Sequence, residues 1–494
     1  MERKSGLLLP ISALPGPCGI GTLGREAYAF ADFLKASGIG CWQILPLGPT
    51  AYGDSPYSAL SAFAGNPYLI DLELLQEDGL LRREEYADIS WSDSARFVDY
   101  ERLHAFRFSV LKKACERGWE RDREALAAFA AENKAWLPDY ALFMALKRHF
   151  GEKPWTEWGD KAIRCRESEE VIEKYRTRLA DDVRLFTYIQ FLFDKQWAAL
   201  KAYVHSLGIK IMGDLPIYVA LDSADVWAEP QLFQMDENFV PKAVAGVPPD
   251  DFSADGQLWG NPLYDYDRMA KDGFGWWIRR MDGARRLYDM IRIDHFRGFE
   301  SYWSVPYGAE SARSGAWKKG PGMALVGVLR DWFHGTPIIA EDLGILTGEV
   351  CELLKDSGFP GMKVLEFAFD PARCSEYLPH KYSHSCVCYV GTHDNETVQQ
   401  WRHTAKRAEL AMAVRYLGLN EEEGYHWGMI RGGMASAADL FIMQMQDCLG
   451  LGEEGRMNTP GTVGNNWRWR LLPGEASREL AERLYEYNRM FERL

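Results

Sequence analysis

Three times along the chain an amphipathic helix ends on a glycine and a short apolar run follows at once. Phe30, Phe33 and Leu34 mark one helical face, Ser37-Gly38 ends it, and Cys41-Trp42-Gln43-Ile44-Leu45 comes next. Leu200 and Val204 lead to Gly208, then to Ile209-Lys210-Ile211-Met212-Gly213-Asp214. Val350, Leu353 and Leu354 lead to Ser357-Gly358, then to Met362-Lys363-Val364-Leu365. Glycine supplies the left-handed residue that terminates a helix, so each apolar run begins a new element. Helices alternating with short apolar strands are the pattern of parallel βαβ units.

The strand candidates are Leu7–Ile11, Trp42–Leu47, Ile209–Leu215, Met290–His295, Pro337–Leu343, Lys363–Ala368, Val387–Thr392 and a weak one over Asn458–Val463. Eight is the number a (β/α)8 barrel requires. The expected fold is therefore α/β: one catalytic TIM barrel spanning 1–494 with helical and loop insertions. Residues 72–185 read as a mainly helical insertion. Residues 216–289, rich in Pro, Gly, Asp and aromatics, read as a second insertion whose loop 245–262 lies over the barrel mouth. Connections of such length inside a barrel form subdomains or lids.

A net charge of −14 argues against nucleic acid, whose phosphates such a surface repels. A neutral polyol is indifferent to that charge, and 18 Trp, 23 Tyr and 24 Phe give ample ring surface for stacking sugars. The nine cysteines show neither a disulfide framework nor metal-ligand spacing; Cys386 and Cys388, two apart in a strand, read as buried thiols. No signal peptide or membrane span is apparent, so the expected location is cytoplasmic. No Gly-rich phosphate loop occurs, and no cofactor or metal is expected.

Carboxylates close three of the apolar runs: Asp294 after Met290-Ile291-Arg292-Ile293, Glu341 after Pro337-Ile338-Ile339-Ala340, and Asp394 shortly after Val387-Cys388-Tyr389-Val390. The C-terminal ends of parallel barrel strands open on a common mouth, so these acids converge. Two carboxyls roughly 5–5.5 Å apart are what retaining glycosyl transfer needs. Arg292 and Asp294 share one side of a strand, and a fixed guanidinium keeps a nucleophilic carboxylate ionised. Glu341, placed near other acids, suits the proton donor. Asp394, beside His393, suits hydrogen bonding to the distorted ring.

Longer blocks carry a resemblance. Ser55-Pro56-Tyr57-Ser58 with Ser61–Asp71, Gly213-Asp214-Leu215-Pro216-Ile217-Tyr218-Val219, and Gly256-Gln257-Leu258-Trp259-Gly260-Asn261-Pro262 resemble the 4-α-glucanotransferases called amylomaltase or disproportionating enzyme. These form glycoside hydrolase family 77, within the α-amylase clan. The resemblance implies that Asp294 is nucleophile, Glu341 acid/base and Asp394 transition-state stabiliser. It also implies that Arg292, His393, Asp214, Tyr57, Ser55 and Gln257 contact the substrate, with Trp259 a stacking platform on the acceptor side. The implied substrates are maltooligosaccharides and α-1,4-glucans. The family lacks the separate C-terminal β domain of α-amylases, in keeping with the helical pattern of Arg478–Leu494.

The acids alone do not separate transferase from hydrolase, since both pass through one glycosyl-enzyme. The loop Ala245–Ser253, stiffened by Pro248-Pro249 and carrying Phe252, is read as the cover that favours sugar over water. Where the family commonly has Tyr before that Phe, this chain has Asp251, which makes the cover less apolar.

Overall fold

The computed structural model describes residues 2–51, 53–249, 255–344, 346–372 and 375–494. In chain order its strands are β1 (Lys4–Leu8), β2 (Cys41–Gln43), β3 (Lys210–Leu215), β4 (Ala243–Val247), β5 (Gln257–Pro262), β6 (Met290–Ile293), β7 (Ser301–Pro306), β8 (Ala316–Lys319), β9 (Ile338–Ala340), β10 (Gly361–Val364), β11 (Cys386–Tyr389) and β12 (Leu440–Gln444).

Eight of them form one parallel sheet in the order β10-β11-β12-β1-β2-β3-β6-β9. The Ala340 N–H donates to Pro360 O at 2.9 Å, bridging the seam between β9 and the segment entering β10, so the sheet curls into a (β/α)8 barrel. Each of the three glycine stops is in place: Gly38, Gly208 and Gly358 have φ of 70°, 79° and 73°. The helix Gly348–Ser357 starts on the Thr347 cap and ends at left-handed Gly358. Close packing requires another glycine, Gly213 in β3: a Cβ there would lie 2.1 Å from the Tyr288 ring.

The eighth barrel strand is not Asn458–Val463. Leu440–Gln444, buried throughout, pairs with both β11 and β1, while 458–463 is loop. Pro460 and Gly461 explain why: proline cannot donate to a ladder, and Gly461 adopts φ 78°. Among the described residues no strand follows β12, and the chain ends in the helix Arg478–Met490.

Between β2 and β3 the chain is helical, with Tyr100–Gly118, Leu137–His149 and the 27-residue Ala180–Ser206 its longest helices. This region clasps the segment after β12: the Tyr100 hydroxyl donates to Trp467 O at 2.9 Å, and Phe97 bridges to Trp469. β4 and β5 join β7 and β8 in an antiparallel sheet of order β5-β4-β7-β8. That sheet takes strands from both sides of β6, so it extends beyond the 216–289 segment read as an insertion. Asp250–Ser253 of the expected cover, including Asp251 and Phe252, lie outside the described residues. Among the described residues no helix is long and apolar enough to cross a membrane.

The two termini meet under the barrel. Arg493, fully buried, donates to the carbonyls of Met434 (2.8 Å), Lys4 (2.8 Å), Ala438 (3.0 Å), Asp439 (3.2 Å) and Ser436 (3.2 Å). Removing this fork takes a charged donor from all five carbonyls, although Arg3 also donates to Met434, Ser436 and Ala438 and the Lys4 N–H to Asp439. Arg493→Ala is expected to cost about 3 kcal/mol or more, read as a lower denaturant midpoint.

Candidate active site

Strand geometry brings the acids together. Asp214 lies in β3, Asp294 directly follows β6, Glu341 directly follows β9, and Asp394 follows β11. The register sets Asp214 against Arg292 and Leu215 against Ile293, so the two strands deliver their polar side chains at one level. The mouth is laced at main-chain level too: Asp294 N–H donates to Leu215 O, and Glu341 N–H to Ile293 O, both at 3.0 Å.

Arg292 organises the centre. Its guanidinium is buried and donates from one nitrogen to Asp214 Oδ2 at 2.6 Å and Asp294 Oδ1 at 3.0 Å. The Tyr57 hydroxyl reaches the same Asp214 oxygen at 2.8 Å. Tyr57 in turn stacks on His393, with centroids 5.2 Å apart and planes 17° apart. His393 Nε2 lies 3.3 Å from Asp394 Oδ2. One chain of contacts thus links Tyr57, Asp214, Arg292, Asp294, His393 and Asp394.

Glu341 is held from both oxygens. The His295 N–H donates to Oε2 and the Leu343 N–H to Oε1, each at 2.7 Å. His295 adopts φ 51°, ψ 47°, a left-handed turn that swings the chain out of β6 directly behind Asp294. The main chain following one acid therefore fixes the other. Trp259, on β5, sets its ring edge-on to His295 with centroids 4.9 Å apart, and its indole N–H donates to Gln257 Oε1 at 3.1 Å. Ser55 Oγ accepts from the Tyr57 N–H at 3.2 Å, so its visible role is to shape the Tyr57 turn.

The electrostatics divide the acids. Burial pushes Glu341 up to about 7; Arg292 opposes this and neighbouring Asp294 adds to it. Burial also pushes Asp294 up, to about 6, against the pull of Arg292, which contacts it directly. Burial thus favours the protonated form of both carboxyls, the two N–H bonds oppose it at Glu341, and of the two only Asp294 is touched by the Arg292 guanidinium. Burial would raise Asp394 as well, but the His393 charge and hydrogen bond, with the Asn458 amide, overcome it and hold the carboxyl at about 2. Burial pushes His295 down to about 3, leaving a neutral ring beside Trp259.

Three further residues hold the site and went unread in the sequence. Asn458 Nδ2 donates to Asp394 Oδ1 at 2.6 Å, and Arg456 donates to Asp394 O at 3.3 Å. Trp467 packs against both Tyr57 and His393, with centroids 5.7 and 5.8 Å away. The available signal was the cluster Arg456-Met457-Asn458-Thr459-Pro460-Gly461, a polar loop next to a barrel mouth.

A family model described as 4-alpha-glucanotransferase matches residues 9–475. The chain belongs to the 4-alpha-glucanotransferase family. Its activity is accordingly 4-α-glucan transfer. The 4-alpha-glucanotransferase of Clostridium butyricum is 48% identical over 485 residues, covering 98% of this chain and 99% of the relative. That of Thermus thermophilus is 48% identical over 505 residues, covering all of both. Amylomaltase from Streptococcus agalactiae, solved in complex with acarbose, superposes with a TM-score of 0.97 at 42% identity, covering all of both chains. Amylomaltase from Corynebacterium glutamicum, at 21% identity and a TM-score of 0.78, covers 99% of this chain and 75% of that one and shares the fold.

Proposed function

We propose that the protein transfers α-1,4-glucan segments between maltooligosaccharides or starch-like glucans by double displacement, with retention at the anomeric carbon. The observation that carries the reading is the pair at the mouth: a carboxylate contacted by a guanidinium, and beside it a carboxyl held by two N–H groups and pushed up to about 7. The acarbose complex of the Streptococcus agalactiae amylomaltase supports an α-glucan-like ligand here.

Asp294 attacks C1 of the donor as the C1–O4 bond breaks, and Glu341 gives its proton to the departing O4. The released chain then leaves the acceptor side. An incoming 4-hydroxyl attacks C1, its proton passes to Glu341, and the Asp294 carboxylate departs. Arg292 keeps Asp294 aimed and lowers its basicity. Asp394, held low by His393 and Asn458, hydrogen-bonds the ring hydroxyls as charge develops. Asp214, Tyr57 and His393 line the donor sugar, with Ser55 shaping the Tyr57 turn.

Trp259, with Gln257 bonded to its indole, forms the acceptor platform. Trp259→Ala is expected to raise the acceptor KM about fivefold, from roughly 1 kcal/mol of lost aromatic contact. Kinetics at fixed donor and varied acceptor check it; an unchanged acceptor KM removes Trp259 from the subsite.

Maltotriose incubated with the pure protein tests the whole reading. Transfer gives glucose and a ladder of longer maltooligosaccharides at constant total reducing ends. Reducing ends that rise without longer products make the enzyme a hydrolase.

A further inference from the structure

Two buried acids play no part in the reaction as drawn, and both lie against the loop that carries His393 and Asp394. Glu366 follows β10, and its N–H donates to Val390 O at 3.2 Å. Its carboxylate fills the space where Gly391 lacks a side chain: a Cβ there would stand 3.1 Å from Glu366 Oε1. Asp447 follows β12, and its Oδ1 accepts the Val398 N–H at 2.8 Å. The segment from Gly391 to Val398 therefore meets one acid at each end, with Asp394 between them.

Neither acid is a surface group. Glu366 is 8% exposed and Asp447 1%. One oxygen of each, Glu366 Oε1 and Asp447 Oδ2, has no protein hydrogen-bond partner. The charged groups facing Glu366 are Asp447, Glu396 and Arg456. Arg456 is already engaged with the main-chain oxygens of Asp394 and Asn458 and with Glu396. Burial and two acidic neighbours, with a single guanidinium already engaged elsewhere, favour the neutral form of Glu366.

We propose that Glu366 and Asp447 are positioning residues for glucan transfer, the two seats that fix the Gly391–Val398 loop and so aim His393 and Asp394. The proposal rests on the roles given above to His393 and Asp394. Asp447 acts as an acceptor for the Val398 N–H, and Glu366 acts by packing its carboxyl against Gly391. Burial, reinforced by Asp447, pushes Glu366 well above the usual carboxylate range, and burial pushes Asp447 up to about 7.

The test compares truncation with isosteric replacement in maltotriose disproportionation. Glu366→Ala and Asp447→Ala are expected to lower kcat by about 10–100-fold with KM nearly unchanged, because misplacement acts on the transition state. Glu366→Gln and Asp447→Asn, which keep shape and neutrality, are expected to restore the rate and leave the acid limb of the pH profile in place. A merely structural role would lower the melting temperature while folded Glu366→Ala kept wild-type kcat, and that result overturns the proposal. So does a Glu366→Gln as slow as Glu366→Ala, which would mean that charge is required.

If the alanine variants do not fold, the infrared difference between wild type and Glu366→Gln at pH 7 decides. A protonated-carboxyl stretch lost in the variant supports the neutral seat, and an ionised-carboxylate band in its place contradicts it. Asp394→Asn run in parallel separates the two levels. An active Asp394→Asn sinks the role of the loop itself, whereas an inactive one beside a normal Glu366→Ala sinks the positioning role alone.

Discussion

Asp294→Asn lowers maltotriose disproportionation on the order of 10⁴-fold or more, the scale seen when a covalent nucleophile is removed. The amide fills the same volume and still accepts from Arg292, which lies 3.0 Å from Oδ1. The loss is therefore chemical and falls on kcat rather than on substrate binding. Stability does not fall with it. The free acid releases its proton near 4 when unfolded, whereas burial raises the folded value to about 6. Between those values the folded state binds more protons, so this group's contribution to stability declines as pH rises through that window. Asparagine removes the decline, and Asp294→Asn at pH 8 is expected to melt no lower than the wild type. A variant that loses activity only by unfolding contradicts this account.

Glu341→Gln has the second-largest effect, about 10²–10⁴-fold for donors whose leaving group must be protonated. Its signature is the pH profile. In the wild type the rate falls below about 6, as Asp294 takes up a proton, and above about 7, as Glu341 loses its own. Glutamine cannot lose that proton, so the alkaline limb disappears. A maltooligosaccharyl fluoride, whose leaving group needs no acid, should restore the first step in Glu341→Gln. An alkaline limb that survives the substitution would assign it to another group.

The acids of the centre were legible because each stands at the end of a short apolar run, where pattern and chemistry coincide. Arg292 and Asp294 were legible as a pair because two residues apart in a strand means one side. Other features had no such period. The strand Leu440–Gln444 follows a helix that ends in Gly432-Gly433-Met434-Ala435-Ser436, without the left-handed glycine that marked the other starts. Its place was given to Asn458–Val463, where the residues serve as loop and Asn458 turns to Asp394. β8, exposed at every position, and β5, exposed or half-buried up to its last residue, lack the alternation that announces a strand. Glu366 closes an apolar run as Asp294 and Glu341 do, yet it was read as part of the strand Lys363–Ala368. Only the packing against Gly391 separates it from its neighbours.

The most direct test of the double displacement is to trap its intermediate. Glu341→Gln, incubated with a maltooligosaccharyl fluoride and no acceptor, forms the glycosyl-enzyme faster than it resolves it. Proteolysis and mass spectrometry then locate the sugar. The account predicts one glycosylated peptide, with the modification on Asp294. A sugar on any other residue, or fluoride release with no covalent adduct at any time, would contradict it.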